Sequence, residues 1–243
     1  MQDKKTQIAT MDKSIKRVYS VDYVSGKQMV ISALRNGQND LFFCDEKGGS
    51  LRQITQDVYD ELDPVAVQLG DKKGIIFASN RNNINLKDPG PVDYYNAESF
   101  DLYFWDSENI TGTLIRLTET PFADERFPIQ LDEQHFSYLS NENGINNRYV
   151  GKFELKEIAK EEGKPSKEWG TTTWASSNYK RSILGQSASK GKIAELILND
   201  GAYKIYTTAV NPEKTAELKA TEYRLYRTPV SYTHLTLPTI LLV

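Results

Sequence analysis

Residues that could carry out chemistry are sparse in this chain, and the densest group of them is acidic. Asp57, Asp60 and Asp63 fall at every third position of one short segment. Carboxylate oxygens are the ligands that calcium prefers, but a calcium loop needs more of them in a tighter series. An aspartate side chain can also accept backbone N–H bonds and so shape a turn. The segment therefore favours a turn over a cation site.

Candidates for catalysis are weaker still. His135 and His234 are the only histidines, and His135 has no obvious serine or aspartate partner in sequence, which favours a structural role over that of a general base. The motif Gly185–Ser189 lacks the final glycine of a nucleophile elbow and precedes no helical pattern. Two histidines and one cysteine are too few for a zinc site built from several such ligands. We predict no catalytic, cofactor-binding or metal-binding residues.

Composition argues against two classes of partner. The chain has 30 Lys and Arg against 33 Asp and Glu, a net charge of −3, so it lacks the basic footprint of a nucleic-acid-binding protein. No apolar run approaches the roughly 18 residues of a membrane span. The segment Met1–Gln7 lacks the apolar core of a signal peptide. Cys44 is the sole cysteine, and its apolar surroundings predict a buried small side chain, not a reactive thiol.

The elements that would have to position these residues are copies of one unit. Three short stretches recur in the same order: Asp40–Asp45 as Asp101–Asp106, Leu51–Thr55 as Leu114–Thr118, and Asp60–Pro64 as Asp124–Pro128. The copies lie 61 to 64 residues apart. The stretch 82–99 carries Pro89-Gly90-Pro91 and has no apolar period, so it is interpreted as an inserted loop. Without the loop the period is about 43–46 residues, close to that of one propeller blade.

Short apolar runs within each copy predict strands. They are bounded by Gly, Asn, Asp or Pro and are too brief for helices. The clearest are Val30-Ile31, Leu41–Cys44, Ile75–Phe77, Leu102–Trp105 and Phe136–Leu139, and further runs follow at 182–184, 193–198, 203–207 and 223–226. A charged and then Thr- and Trp-rich segment, 152–174, is predicted as an irregular linker in which 154–162 could form a short helix. We therefore predict an all-β chain of about four four-stranded antiparallel blades, an incomplete β-propeller.

The repeated acidic turn carries two structural expectations. The carboxylates of Asp60 and Asp124 are expected to accept backbone N–H bonds within the turn. Pro64 and Pro128 are expected to hold the preceding residue in extended geometry and so deliver the chain into the next strand.

On four of these stretches the chain resembles the TolB-like, WD-repeat-like β-propeller family, in particular its long bacterial cell-envelope members. The stretches are Phe77–Arg81, Asp101–Asp106, Leu114–Thr118 and Asp60–Pro64. The resemblance covers about residues 20–150 well and 180–227 weakly. It implies a six-bladed ring, a periplasmic or cell-envelope location, and a non-catalytic scaffold for a protein partner or, as an alternative, a glycan. The chain is too short to close such a ring, so we expect a fragment.

Two other functions stay open. Propellers of this type also stand beside the α/β-hydrolase domain of prolyl-oligopeptidase-type serine peptidases, and the catalytic domain would then lie outside this sequence. A carbohydrate-active propeller would instead gather acidic and aromatic residues at the central channel.

Two segments are candidate partner contacts. The inserted loop holds Tyr94 and Tyr95 and leads to Phe100, although packing of these aromatic rings on their own blade is the favoured interpretation. Trp169 and Trp174 would anchor segment 152–174 on the ring if that segment is an extended loop.

The end of the chain resembles a translated sequencing adapter. Val230–Thr239 corresponds codon by codon to one reading frame of such an adapter. We therefore expect the partial propeller to occupy residues 1–228 and residues 229–243, with His234, to be a non-native tail without function.

Overall fold

The computed structural model of the chain describes residues 10–86, 99–109, 111–158, 166–222 and 224. Every named element in this part is a β-strand, and the strands form four antiparallel sheets in chain order. The first sheet contains β1 Ile15–Ser25, β2 Gln28–Arg35, β3 Gln38–Asp45 and β4 Arg52–Gln53. The second contains β5 Glu61–Leu69, β6 Lys72–Ser79, β7 Asp101–Asp106 and β8 Ile115–Arg116. The tail 229–243 lies outside the described residues.

The third and fourth sheets repeat the same up-and-down order. The third contains β9 Glu125–Gln130, β10 His135–Ser140, β11 Asn147–Ile158 and β12 Ser166–Ala175. The fourth contains β13 Ile183–Ser189, β14 Lys192–Asn199 and β15 Ala202–Ala209, three strands where four were predicted. The first strands of consecutive sheets are neighbours, β1 of β5, β5 of β9 and β9 of β13. The all-β prediction of consecutive blades in an open arc is confirmed.

The hydrophobic core lies between sheets. We call the contact of the first and second sheets the first seam and that of the second and third sheets the second seam. Side chains alternate along each inner strand, so Leu41 and Phe43 enter the first seam, whereas Phe42 and Cys44 point to the other face. These strands are apolar on both faces because a blade is covered on both sides, as the continuous runs predicted.

One hydrogen bond recurs in three sheets. A hydroxyl beyond the last paired strand accepts the N–H of a residue in the strand beside it, which closes the blade. The bonds are Leu41 N–H to Thr55 Oγ1 at 2.9 Å, Leu102 N–H to Thr118 Oγ1 at 2.8 Å and Arg148 N–H to Ser177 Oγ at 2.8 Å. The third sheet therefore has the same closing bond as the first two.

The residue before each repeated proline is not extended, and that expectation was wrong. Asp63 and Phe127, which precede Pro64 and Pro128, have positive φ angles of 52° and 54°. Each is the third residue of its strand, β5 or β9, where the pairing register shifts and a bulge forms. The register also shifts before Gly185, the third residue of β13, but the φ angle of Gly185 is not positive.

Segment 152–174 is a hairpin and not an irregular linker. The described parts belong to β11 and β12, which pair from Tyr149 opposite Ala175 to Ile158 opposite Ser166. Residues 154–158 are therefore strand, not helix. The sequence pattern predicted a linker because the outer strand of a blade exposes one face. Charged and hydroxyl side chains therefore interrupt its apolar pattern. Its β-branched threonines fit a half-exposed strand.

The inserted loop begins along the outer edge of its own sheet. Asn85 forms an isolated bridge with Thr113, and Leu86 N–H donates to Gly112 O at 2.8 Å. Phe100 packs against the second seam with the guanidinium of Arg126 5.1 Å from its ring. Phe100 therefore packs between its own blade and the next one, while Tyr94 and Tyr95 lie outside the described residues. The described part of the chain also contains no helix that is long and apolar enough to cross a membrane.

Candidate functional site

The three aspartates of the acidic turn do not converge. Asp57 pairs with Arg81 at 2.8 Å, whereas Asp63 pairs with Arg126 at 2.7 Å across the inner strands β5 and β9. Within the described ranges no three His, Cys, Asp or Glu side chains are arranged to hold a metal ion. The carboxylates of Asp57 and Asp63 are therefore occupied by guanidinium groups of the same chain.

His135 begins β10, as the sequence indicated, and its contacts are structural. Its Nδ1 lies 2.9 Å from Asp132 Oδ1, in the turn that precedes the strand. Its ring meets Trp174 edge to face at a centroid distance of 6.1 Å. Within the described part of the chain its ring contacts the carboxylates of Asp132 and Glu213 and the ring of Trp174, which do not form a catalytic triad.

The other two candidates for reactive groups lie within strands. Gly185–Ser189 belongs to β13, and Ser187 pairs with Ala194 within a continuous strand. A nucleophile elbow needs a sharp turn between a strand and a helix, which this geometry does not provide. Cys44 is buried as predicted, and burial raises the pKa of its thiol.

A buried network of polar groups lies at the first seam. Arg81 donates to Asp57 Oδ2 and to Glu61 Oε1, both at 2.8 Å, and all three side chains are buried. Glu61 also accepts the hydroxyls of Thr55 at 2.9 Å and Ser79 at 3.2 Å. Burial raises the pKa of Glu61 to about 8, and the charge of Arg81 opposes that rise. One guanidinium faces two carboxyl groups here, so a proton on one of them balances the charge.

The backbone of the acidic turn is held by asparagines. Asp60 N–H donates to Asn80 Oδ1 at 2.9 Å, and in the next copy Asp124 N–H donates to Asn141 Oδ1 at 2.7 Å. Asp57 Oδ1 accepts the N–H of Tyr59 at 3.0 Å, two residues on. The backbone N–H groups of Asp60 and Asp124 thus donate to amide side chains, a contact that the sequence did not predict. The expectation that the carboxylates of these two residues accept N–H bonds within the turn stays a prediction. The sequence analysis assigned no role to Asn80 and Asn141, although both recur in the repeat.

Glu125 occupies the place of Glu61 at the second seam, but no cation among the described residues meets it. Each is the first residue of its strand, opposite Ser79 or Ser140 in the neighbouring strand. Glu125 is fully buried, and neither of its carboxyl oxygens meets a donor in good hydrogen-bond geometry among the described residues. Burial raises the pKa of Glu125 to about 8, and only nearby hydroxyls such as that of Thr118 oppose the rise.

An open cavity of about 570 Å³ lies between the first two sheets, at the end where β1, β3, β5 and β7 finish. We call it the seam groove. The rings of Phe43 and Trp105 meet edge to face in its wall at 5.6 Å, and the guanidinium of Arg52 lies 4.6 Å from the ring centre of Phe43. Tyr23 and Gln28 stand on the side of the first sheet. Apolar walls with a few polar groups are typical of binding sites.

A second cavity, of about 400 Å³, opens at the opposite end of the second sheet. Its charged groups pair with one another, since Arg116 bonds to Asp101 and, at 2.8 Å, to Glu119. The side chains that could attract a ligand there are therefore already engaged.

Comparison with known proteins establishes the fold and not the family. No protein-family model matches the chain, and no curated protein matches it significantly. A crystal structure of puromycin hydrolase aligns with 82% of this chain and 28% of its own, with 11% identity and a TM-score of 0.50. A crystal structure of TolB from Acinetobacter baumannii aligns with 78% of this chain and 42% of its own, with 16% identity and a TM-score of 0.41, which is too low to carry an argument. Both are β-propeller proteins.

The chain has a β-propeller fold. It spans less than half the length of either matched structure. Within this propeller the seam groove lies between adjacent blades and not on the axis. Sequence reasoning missed it because its walls come from strands far apart in the chain. The aromatic strand ends that carry Phe43 and Trp105 were the available signal, since both lie in the repeated hexapeptide.

Proposed function

We propose that the chain is part of a non-catalytic β-propeller scaffold that binds a protein partner in the periplasm or cell envelope. The observation that carries this proposal is that the polar groups of the described structure fall into two sets, one buried and one accessible. The buried carboxylates hold the blades together, whereas the accessible seam groove presents aromatic, arginine and amide side chains. Aromatic residues and arginine are the types enriched at the centres of protein interfaces. The location follows from the resemblance of the repeat to TolB-like propellers.

The carbohydrate-active alternative has little support at the inner strands. It needs free acidic groups beside aromatic rings near the axis. Asp22 of β1 instead accepts the N–H of Ala66 at 2.8 Å, and Asp63 of β5 pairs with Arg126. Acids engaged in this way cannot also serve as a general acid and base without losing those contacts.

Site-specific photo-crosslinking in the envelope of the host bacterium tests the proposal. A photoreactive residue at Gln28, in the groove wall, should give a discrete adduct with one protein. The same residue at Asp200, in the exposed turn between β14 and β15, is the matched control and should give none. Absence of an adduct at positions all around the described surface would overturn the scaffold. Labelling of the full-length protein by a serine-directed fluorophosphonate would overturn the non-catalytic assignment.

A further inference from the structure

The seam groove carries a charge opposite to that of the whole chain. Its lining contains Arg52 and Lys73 and no aspartate or glutamate, although the chain has a net charge of −3. Both basic side chains are exposed, and neither forms an ion pair with a described residue. The groove is thus a cationic patch in an acidic protein, and a cleft lined by one sign of charge attracts ligands of the other sign.

Two carboxylates that adjoin lining residues in the chain are engaged away from the groove's basic groups. Asp22, just before Tyr23, accepts the backbone N–H of Ala66. Asp106, between Trp105 and Ser107, is buried and pairs with Lys72 at 2.8 Å. Neither of these two acids pairs with Arg52 or Lys73.

Arg52 is also pre-organised for recognition. Its guanidinium lies over Phe43, 4.6 Å from the ring centre, which restricts the side chain. Stacking of this kind occupies one face of the guanidinium and leaves its N–H edge free for a planar, bidentate acceptor such as a carboxylate. Trp105, half-buried beside Phe43, offers apolar surface within the same cavity.

We propose that the seam groove binds an acidic peptide segment in which carboxylate side chains flank an aromatic residue. One carboxylate pairs with Arg52, a second lies near Lys73, and the aromatic ring packs against Trp105. The proposal rests on the proposed function, because it names the chemistry of the protein partner. Charge complementarity selects the acidic segment, and the aromatic wall selects the ring that it carries.

Fluorescence anisotropy with the full chain tests this assignment. The probe is a fluorescein-labelled peptide of alternating Glu-Glu-Phe units, and its control replaces every Glu by Lys. We expect saturable binding of the acidic peptide only, weakening as NaCl is raised because exposed charges are screened. Arg52→Glu and, separately, Lys73→Glu should each weaken binding about tenfold. Arg17→Glu is the matched control, since Arg17 also stacks on a tyrosine ring, 4.7 Å from the centre of Tyr19, but lies outside the groove.

Several results would overturn the assignment. They are equal binding of the lysine peptide, equal losses in the Arg17 and Arg52 variants, and equal binding of an acidic oligosaccharide such as polygalacturonate. Thermal melting of each variant confirms that it is folded, and agreement between two groove variants guards against one local defect. If the acidic peptide fails to bind but a crosslinked protein adduct forms elsewhere on the surface, this inference fails and the scaffold stands. If no adduct forms anywhere, the scaffold itself fails.

Discussion

Glu61 at the first seam and Glu125 at the second occupy the same place in the repeat but have different surroundings. Each opens the inner strand of its blade, and each is followed two residues later by a backbone bulge. Arg81 lies two residues after Ser79, the serine that pairs with Glu61. In the second copy the corresponding residue is Glu142, two residues after Ser140, which pairs with Glu125. The first seam therefore contains an ion pair where the second contains two acidic groups.

The difference shows that the blade geometry does not depend on one pattern of charges. Glu142 accepts the hydroxyl of Tyr149 at 2.6 Å, so its carboxyl has a partner of its own. Glu125 is left with no cation among the described residues, and a buried carboxyl in that position favours its neutral form. The backbone stays in place because the Thr118 hydroxyl bond and the Asn141 amide bond persist without the ion pair.

The next seam offers a third solution. Ile183 stands where Glu61 and Glu125 stand, and its N–H donates to Asn146 O at 2.9 Å. The charge pair there is Arg148 with Glu195, which joins the third sheet to the fourth. An apolar residue can therefore take the glutamate position once the ionic contact has moved to other strands.

Removing the cation of the first seam should have a large effect on the stability of the fold. Arg81→Leu leaves Asp57 and Glu61 buried without a counter-charge, and such a change costs about 3–5 kcal/mol. We expect a correspondingly lower free energy of unfolding in urea at pH 7. Arg181→Leu is the control, because Arg181 and Asp200 form an exposed pair whose loss costs under about 1 kcal/mol. Equal effects of the two substitutions would show that the buried cluster is not stabilised by its cation.

The contribution of the second seam to stability should depend on pH. The pKa of Glu125 in the folded chain, about 8, is above that of an unfolded glutamate. Its contribution to stability is therefore fully present below the unfolded pKa, declines as pH rises, and is lost once pH passes the folded pKa. Glu125→Gln, which keeps the shape without the ionisation, should lie within about 1 kcal/mol of the wild type near pH 5. At pH 8.5 it should be more stable by roughly 5 kcal/mol.

Urea denaturation at those two pH values measures the effect. Glu133→Gln, a change to a glutamate in the loop before β10, is the control and should alter neither value. A wild type and Glu125→Gln that follow the same pH curve would mean that the second seam tolerates a charged carboxylate. That result would remove the contrast between the seams.

A third substitution converts one seam into the other. Glu142→Arg places a guanidinium where Arg81 stands in the first copy, at the expense of the bond from Tyr149. The new charge should lower the pKa of Glu125, because an opposite charge favours the ionised form. We expect a gain of about 1 kcal/mol at pH 8.5 and no gain at pH 5, measured by the same denaturation. Glu142→Gln separates the loss of the tyrosine bond from the gain of the cation, and a gain shared by both variants would refute the conversion.

The sequence predicted the blades better than it predicted these seams. The strands around Leu41 and Leu102 were found because continuous apolar runs report burial on both faces. Glu61 and Glu125 recur in the repeat, but the sequence analysis assigned the structural role to the neighbouring aspartates. A repeat shows that a residue recurs, and it does not show which way the side chain points. The partner of Glu61, Arg81, lies 20 residues away, and only the folded sheet shows that distance to be short.

The smallest expected effect is the difference in stability between substitutions of Thr55 and Thr118, the two threonines whose hydroxyls close the blades. Thr55→Val and Thr118→Val keep the side-chain shape but remove the acceptor for one buried N–H, which costs about 1 kcal/mol in each case. Thr55 also donates to Glu61, and no described donor–acceptor bond of that quality joins Thr118 to Glu125. We therefore expect Thr55→Val to be more destabilising than Thr118→Val by about 1 kcal/mol in urea at pH 7. Ser177→Ala serves as the reference for the third sheet. Equal losses at Thr55 and Thr118 would mean that the bond to Glu61 adds nothing, and the two seams would then differ in charge but not in how their hydroxyls support the fold.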